Sequence, residues 1–235
     1  MIEGDKKMRV GLYKDYYENG QLKYERNFKN GKQPEGVYKF YYENGQLEIE
    51  GNYKNGNREG VAKYYYNDGQ LKREENYKKD KEEGLFKEYY ENGQLKSEVN
   101  YINGSLEGKY KDYHDNGQLE FEGTYKNNRR EGIVKDYYST GQLEIEGNYK
   151  NGNREGVAKY YYVTGQLEIE ENYKDGNREG VVKEYHENGQ LKQETNYKNG
   201  EIETVKKPEE LIEKKTNPLL KILNKQKVSE KEQGR

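Results

Sequence analysis

Eight glutamates recur at a fixed interval in this chain: Glu25, Glu50, Glu74, Glu98, Glu122, Glu146, Glu170 and Glu194. Two carboxylates across a scissile bond can act as general acid and base, so the array is the first candidate for chemistry. If the carriers are strands of one sheet, in-phase copies lie two strands apart, ~9.6 Å, too far for a typical glycosidase pair. A regular array also lacks the asymmetry that drives two pKa values apart. Solvated partners for nearby lysines are the simpler reading. The two histidines, His114 and His186, occupy positions where other copies carry Tyr42, Tyr66 or Tyr90. Three repeats apart, on the order of 29 Å, they cannot share a metal, so each reads as an aromatic substitution. No phosphate loop, dinucleotide fingerprint, HExxH or complete calcium loop occurs. We expect no catalytic residue, no cofactor, no metal and no enzyme.

Two further columns run in step. Lys14, Lys39, Lys63, Lys87, Lys111, Lys135, Lys159 and Lys183 recur beside Tyr16, Tyr41, Tyr65, Tyr89, Tyr113, Tyr137, Tyr161 and Tyr185. Cations and aromatics at a fixed repeat can follow phosphates and stack bases in single-stranded nucleic acid. Residues 1–204 carry 33 basic and 39 acidic side chains, however, and counterion release needs an excess of positive charge. Direct nucleic-acid binding is therefore disfavoured. Protein binding suits the columns better, because tyrosine supplies amphipathic contact area at small entropic cost. Between the Lys and Tyr columns lies one that varies: Asp15, Phe40, Tyr64, Glu88, Asp112, Asp136, Tyr160 and Glu184. The candidate partner-binding residues are the seven tyrosines from Tyr41 to Tyr185 and the seven variable positions from Phe40 to Glu184. The bland alternative is that the latter are tolerated on a wet face.

The elements that position these columns follow from the period. Gly-Gln-Leu begins at Gly20, Gly45, Gly69, Gly93, Gly117, Gly141, Gly165 and Gly189, spaced 25 once and 24 thereafter. The extra residue falls in "NGKQPEG" near Pro34, where other copies read "NGNREG"; insertions are tolerated in turns. The block "GQLEIEGNYKNGNREGVAKYYY" is present identically at 45–66 and 141–162, four periods apart. Each unit has two turn signals, such as Asn44-Gly45 and Asn55-Gly56, separated by segments of period-two polarity. A helix would have to absorb both glycines.

The first turn leaves two registers open. A two-residue loop sets Lys39 opposite Glu50 in every unit. A three-residue loop spares Thr140 and Thr164 a positive φ, and sets Tyr41 beside Leu47, Lys39 beside Ile49 and Val37 beside Gly51. We favour the latter, which puts every recurrent position on one face.

Hydrophobic residues make up only 30% of the 235, but 27 tyrosines argue for strands and against disorder. The net charge of −2 offers no global field for nucleic acid or an anionic membrane. Cysteine is absent, which removes disulfides and thiolate chemistry. With no signal-like or membrane-spanning run in the sequence, a soluble cytoplasmic monomer is expected.

The residues "YYENGQLKYERNFKNGKQPEG" and "YYENGQLEIEGNYKNGNREG" resemble the bacterial variant of the MORN repeat, the form found in YwqK-family antitoxin proteins. The resemblance covers about 11–204. It implies a twisted antiparallel ribbon of hairpins serving as an interaction scaffold, with an antitoxin role as a weaker implication.

The expected fold is all-β: an elongated, twisted, single-layer antiparallel sheet of tandem β-hairpins with a short C-terminal helical segment. Residues 1–10 form a lead-in, 11–204 eight repeats, and 205–235 a basic cap or tail. In that tail Pro208, Pro218 and the stripe Leu219, Leu220, Ile222 and Leu223 suggest helical stretches. Its expected role is to cover the last strand's edge; docking to a partner or an acidic lipid surface is the alternative. The expected function is a non-enzymatic scaffold that engages a partner protein through its Tyr-rich face. The alternatives are a neutralising binder that occludes an enzyme, possibly a nucleic-acid-acting one, and a hydrolase with an unrecognised site.

Overall fold

A computed structural model describes residues 9–31 and 33–209; the C-terminal helical stretches expected beyond 209 lie outside them. The chain divides into two compact units, Met1–Gly141 and Gln142–Arg235. In each, the described residues form antiparallel hairpins, strand beside strand in chain order. Gln33–Tyr41, for example, pairs with Leu47–Lys54 in the first unit, and Asn153–Tyr161 with Leu167–Lys174 in the second. All-β, single-layer and antiparallel is therefore the observed class.

The first turn is the three-residue loop. Gly45 N–H donates to Tyr42 O at 2.9 Å and Tyr42 N–H to Gln46 O at 2.8 Å. Only Gly45 needs a positive φ, +84°, so Thr140 and Thr164 fit in other copies without strain. The consequence drawn from this loop does not hold further along the strands. Tyr41 does face Leu47, but a bulge follows immediately, and Phe40 then faces Ile49, Lys39 faces Glu50 and Tyr38 faces Gly51. One inserted residue moves the rest of the strand by one position, which exchanges its faces. Recurrent positions are thereby divided between the two sides. The second turn is a tight two-residue loop, with Asn55 and Gly56 at φ +51° and +83° between paired Lys54 and Asn57.

In each unit the buried ones among the described residues share one side of the sheet, here called the aromatic face. They include Tyr38, Ala62, Tyr77, Val99 and Phe121 in the first unit, and Ala158, Glu171 and Val182 in the second. No second layer covers this face among the described residues; its own Tyr, Phe and Arg side chains lie along it. Sizes compensate across several central pairs: Tyr38 opposite Gly51, Ala62 opposite Glu75, Tyr110 opposite Gly123. A Cβ on Gly51 would lie 2.4 Å from the Tyr38 hydroxyl oxygen, so the ring occupies the space that glycine leaves.

A second bulge sits at the glycine that opens each unit. Gly180, at φ +82°, is one such residue: on the preceding strand Arg178 faces Tyr173, but Lys183 faces Glu170, the counterpart of Glu194. In the last strand, Glu201–Lys206, Thr204 stands where that glycine would be. The strand continues nonetheless, but Val205 now faces Thr195 and Lys206 faces Glu194, one residue out of phase. A β-branched residue does not adopt the left-handed backbone, so the wider bulge is lost and side chains change sides. Thr204→Gly is expected to restore the phase and bring Lys207 opposite Glu194. Cross-strand amide NOEs would show this, and an unchanged 194–206 pairing would refute it.

Candidate partner-binding faces

On the other side, the ladder face, Val37, Lys39 and Tyr41 alternate with the aromatic-face residues Tyr38 and Phe40. Glu50 stands opposite Lys39 here, as in the register set aside at the sequence level. Lys14 lies 3.4 Å from Glu25, and Lys63 lies 3.7 Å from Glu74. Tyrosines of the neighbouring repeat bind the same carboxylates: Tyr41 donates to Glu25 at 3.1 Å, Tyr65 to Glu50 at 2.9 Å and Tyr137 to Glu122 at 2.8 Å. These glutamates thus serve as acceptors in a Tyr–Glu–Lys ladder. The ladder face also carries exposed aliphatics, Val37, Val61, Leu85 and Ile133 in the first unit and Val157 and Val181 in the second.

The expected partner-binding residues are consequently split. Tyr41, Tyr65, Tyr89, Tyr113, Tyr137, Tyr161 and Tyr185 belong to the ladder face. Phe40, Tyr64, Glu88, Asp112, Asp136, Tyr160 and Glu184 belong to the aromatic face, beside the buried column. The variable positions are partly buried rather than fully wet, and their acids have partners: Glu88 lies 3.4 Å from Lys96 and Glu184 lies 3.3 Å from Lys192.

Burial raises the tyrosine pKa on both faces. Tyr38 is pushed up to about 12 by burial and then by neighbouring Tyr64 and Tyr53. Tyr65 is pushed up to about 12 by burial and then by its hydrogen bond to Glu50. Tyr77 is raised by burial and by Glu75, to which its hydroxyl donates. A folded-state pKa above the ordinary 10.0 means that the neutral phenol is favoured by folding. That contribution is complete below about pH 10 and disappears as pH rises through about 12. Phenolate absorbance during alkaline titration should therefore show a delayed group of tyrosines whose ionisation coincides with loss of stability between those values. Ionisation of all tyrosines together near 10 with the fold intact would contradict this.

Several recurrent residues join one repeat to the next. Tyr17, Tyr42, Tyr66 and Tyr90 donate to the carbonyls of Tyr41, Tyr65, Tyr89 and Tyr113 at 2.7 Å. His114 makes the equivalent contact, with Nε2 2.9 Å from Tyr137 O, which explains why an imidazole replaces a phenol there. No group of three or more possible metal ligands exists among the described residues. Asn44 Nδ2 donates to Asn67 O at 2.8 Å, and Glu59 Oε2 accepts from Lys79 N at 3.0 Å, so both turns are tied along the array.

A feature not evident from the columns is the charge laid into the aromatic face. In the first unit Arg58 stacks 3.9 Å over the Tyr77 ring with Nε 3.6 Å from Asp80, while Arg73 stacks 4.0 Å over Tyr64 with Nε 2.9 Å from Glu75. In the second unit Glu171, its side chain 0% exposed, lies 2.7 Å from Arg178 Nε and 3.7 Å from Arg154 Nη1. Tyr173 donates to it at 2.6 Å. The sequence signal was the replacement of a central-column glycine by Glu75 and Glu171.

Two open depressions lie at the ladder-face surface. One of about 320 Å³ is lined by Lys109, Lys111, Lys135 and Ile133; another of about 200 Å³ is lined by Val37, Val61 and Lys63.

Comparison with known proteins agrees with this architecture. No curated protein matches the chain. A solved structure titled "Crystal Structure of TcdB2-TccC3-Cdc42" matches over 81% of this chain at 14% identity and a TM-score of 0.22. This chain spans 12% of that one's length. The model of the MORN repeat variant matches eight times, at residues 9–30, 34–55, 58–79, 82–103, 106–127, 130–151, 154–175 and 178–199, and the chain belongs to that family.

Proposed function

We propose that this protein is a non-enzymatic scaffold that engages another protein through its aromatic face. One observation carries the reading: within the strands, the columns that differ most from repeat to repeat lie on that face, whereas the Tyr–Glu–Lys ladder is uniform. The series Tyr38, Ala62, Phe86, Tyr110, Val134, Ala158 and Val182 belongs to it, as do Gly51, Glu75, Val99, Gly123, Gly147, Glu171 and Thr195. A uniform ladder offers the same contacts at every repeat and cannot fix a partner's position along the array. A sequence of distinct aromatic, cationic and acidic positions can. MORN repeats commonly serve as interaction scaffolds, and the two faces hold carboxylates committed to Lys, Arg and Tyr rather than a free acid–base pair.

The protein acts as a monomer in the cytoplasm on this reading. In its neutralising form, that of the YwqK-like bacterial antitoxins, the partner is an enzyme whose site the face occludes. Affinity capture with mass spectrometry tests both. Glu88→Lys, Asp112→Lys and Glu184→Lys together should abolish capture of a partner that a Lys39→Glu and Lys159→Glu ladder variant retains. Loss with the ladder variant alone would overturn the assignment of the face. Lost turnover of a captured enzyme on adding this chain would identify the neutralising form.

A further inference from the structure

The identical blocks 45–66 and 141–162 make a controlled comparison, because Arg58 and Arg154 enter their sites from the same sequence. What differs is the following repeat. Around Glu75 stand Arg73 on its own strand and Asp80 in the next turn, so Arg58 turns to Asp80. Two guanidinium groups meet two carboxylates, and the cluster is neutral. In the second unit, Ile169 replaces Arg73, Gly176 replaces Asp80, and Arg178 stands where Glu82 was. Arg154 and Arg178 therefore converge on the two oxygens of one carboxylate, Glu171. Two cations meet one anion.

The surplus positive charge is held rigidly. Arg154 Nε donates to Tyr149 at 3.0 Å, and its Nη1 donates to Tyr160 and, at 3.0 Å, to Tyr173. Its charge is retained against burial by these hydroxyls. Arg178 lies 5.3 Å from the Tyr197 ring centre. The contacts to tyrosine and Glu171 run through Nε and Nη1 of Arg154 and through Nε and Nη1 of Arg178. The two arginine side chains are 28% and 42% exposed, whereas that of Glu171 is 0% exposed. The other acid nearby, Glu184, is engaged by Lys192 and Gln193.

We infer that Arg154 and Arg178, rimmed by Tyr149, Tyr160, Tyr173 and Tyr197, form a binding site for one carboxylate, supplied by an acidic side chain of the partner protein. Paired guanidinium forks fixed by a buried counter-ion match the planar, two-oxygen geometry of a carboxylate. The inference rests on the scaffold reading for its partner, but the site itself can be examined without one.

The experiment is a titration of the full chain with N-acetylglutamate at constant ionic strength, followed by NMR of the arginine Nε–Hε signals. Saturable shifts are expected at Arg154 and Arg178, with Arg58 and Arg73 unmoved as internal controls. Gly176→Asp installs the counter-ion that Asp80 provides in the other block, at a turn position that already accepts Asp, and should weaken binding by about tenfold. Arg178→Lys keeps the charge, removes the fork and should weaken it several-fold. Equal shifts at all four arginines, or no effect of either substitution, would overturn the site. Saturation by inorganic phosphate with N-acetylglutamate silent would overturn the carboxylate assignment. Binding of the probe with no partner captured would leave the site standing and remove the scaffold reading.

Discussion

Tyr38→Ala should destabilise the repeats around it by about 3–5 kcal/mol, the usual result of removing a buried aromatic ring. Tyr38 is 5% exposed, lies 4.8 Å from the Tyr53 ring and fills the space above Gly51. With no second layer among the described residues, little else can move in to close the gap. The partner substitution acts through the same space. Gly51→Val places a Cβ within the Tyr38 ring and should also be costly, but the pair Tyr38→Ala with Gly51→Val should recover part of the loss. Chemical denaturation of the four species gives the coupling, expected to exceed about 1 kcal/mol. Additivity within about 0.3 kcal/mol would mean that size complementarity across the central pair is not what holds the face together. Hydrogen exchange should localise the loss to strands Leu22–Gly31, Gln33–Tyr41 and Leu47–Lys54, since repeat arrays open locally.

Arg178→Ala is expected to cost about 3 kcal/mol in the second unit, because it leaves a fully buried carboxylate with its nearer cation gone. Arg154 at 3.7 Å and the Tyr173 hydroxyl at 2.6 Å remain, but Arg154 is already committed to three tyrosines. Removing both charges with Arg178→Ala and Glu171→Ala should cost less than the single change, since no ion is then stranded away from water. Denaturant midpoints decide the matter. A double variant less stable than the single one would show that Glu171 contributes through packing and not as a charge needing a partner.

Much of the architecture was legible before any coordinates. A 24-residue period with two glycine turns and alternating segments leaves tandem antiparallel hairpins as the arrangement that meets the backbone's hydrogen bonds. The tight loop at Asn55-Gly56 and the three-residue loop at Asn44-Gly45 follow from which residues accept a positive φ. His114 as a stand-in for tyrosine was legible too, because only its place in the column mattered.

The faces were not legible. Period-two reasoning carries a side chain's direction along a strand only while the register is regular, and each repeat holds two bulges that a residue count does not reveal. One follows the first turn and returns Lys39 to Glu50; the other depends on a positive-φ glycine, and where Thr204 replaces it the phase slips by one. Hence Tyr41 was correctly set beside Leu47, but Lys39 and Val37, beyond the bulge, face Glu50 and Asn52 and not the expected Ile49 and Gly51.

The two copies of one block state the division most simply. Sequence alone set their local fold, since backbone conformation and turn type depend on the block's own residues, and those are identical. Whether Arg58 turns to Asp80 or Arg154 to Glu171 was decided by the tertiary structure. A half-buried charge takes the partner that the neighbouring strand brings within a few ångströms, and that neighbour lies outside the block.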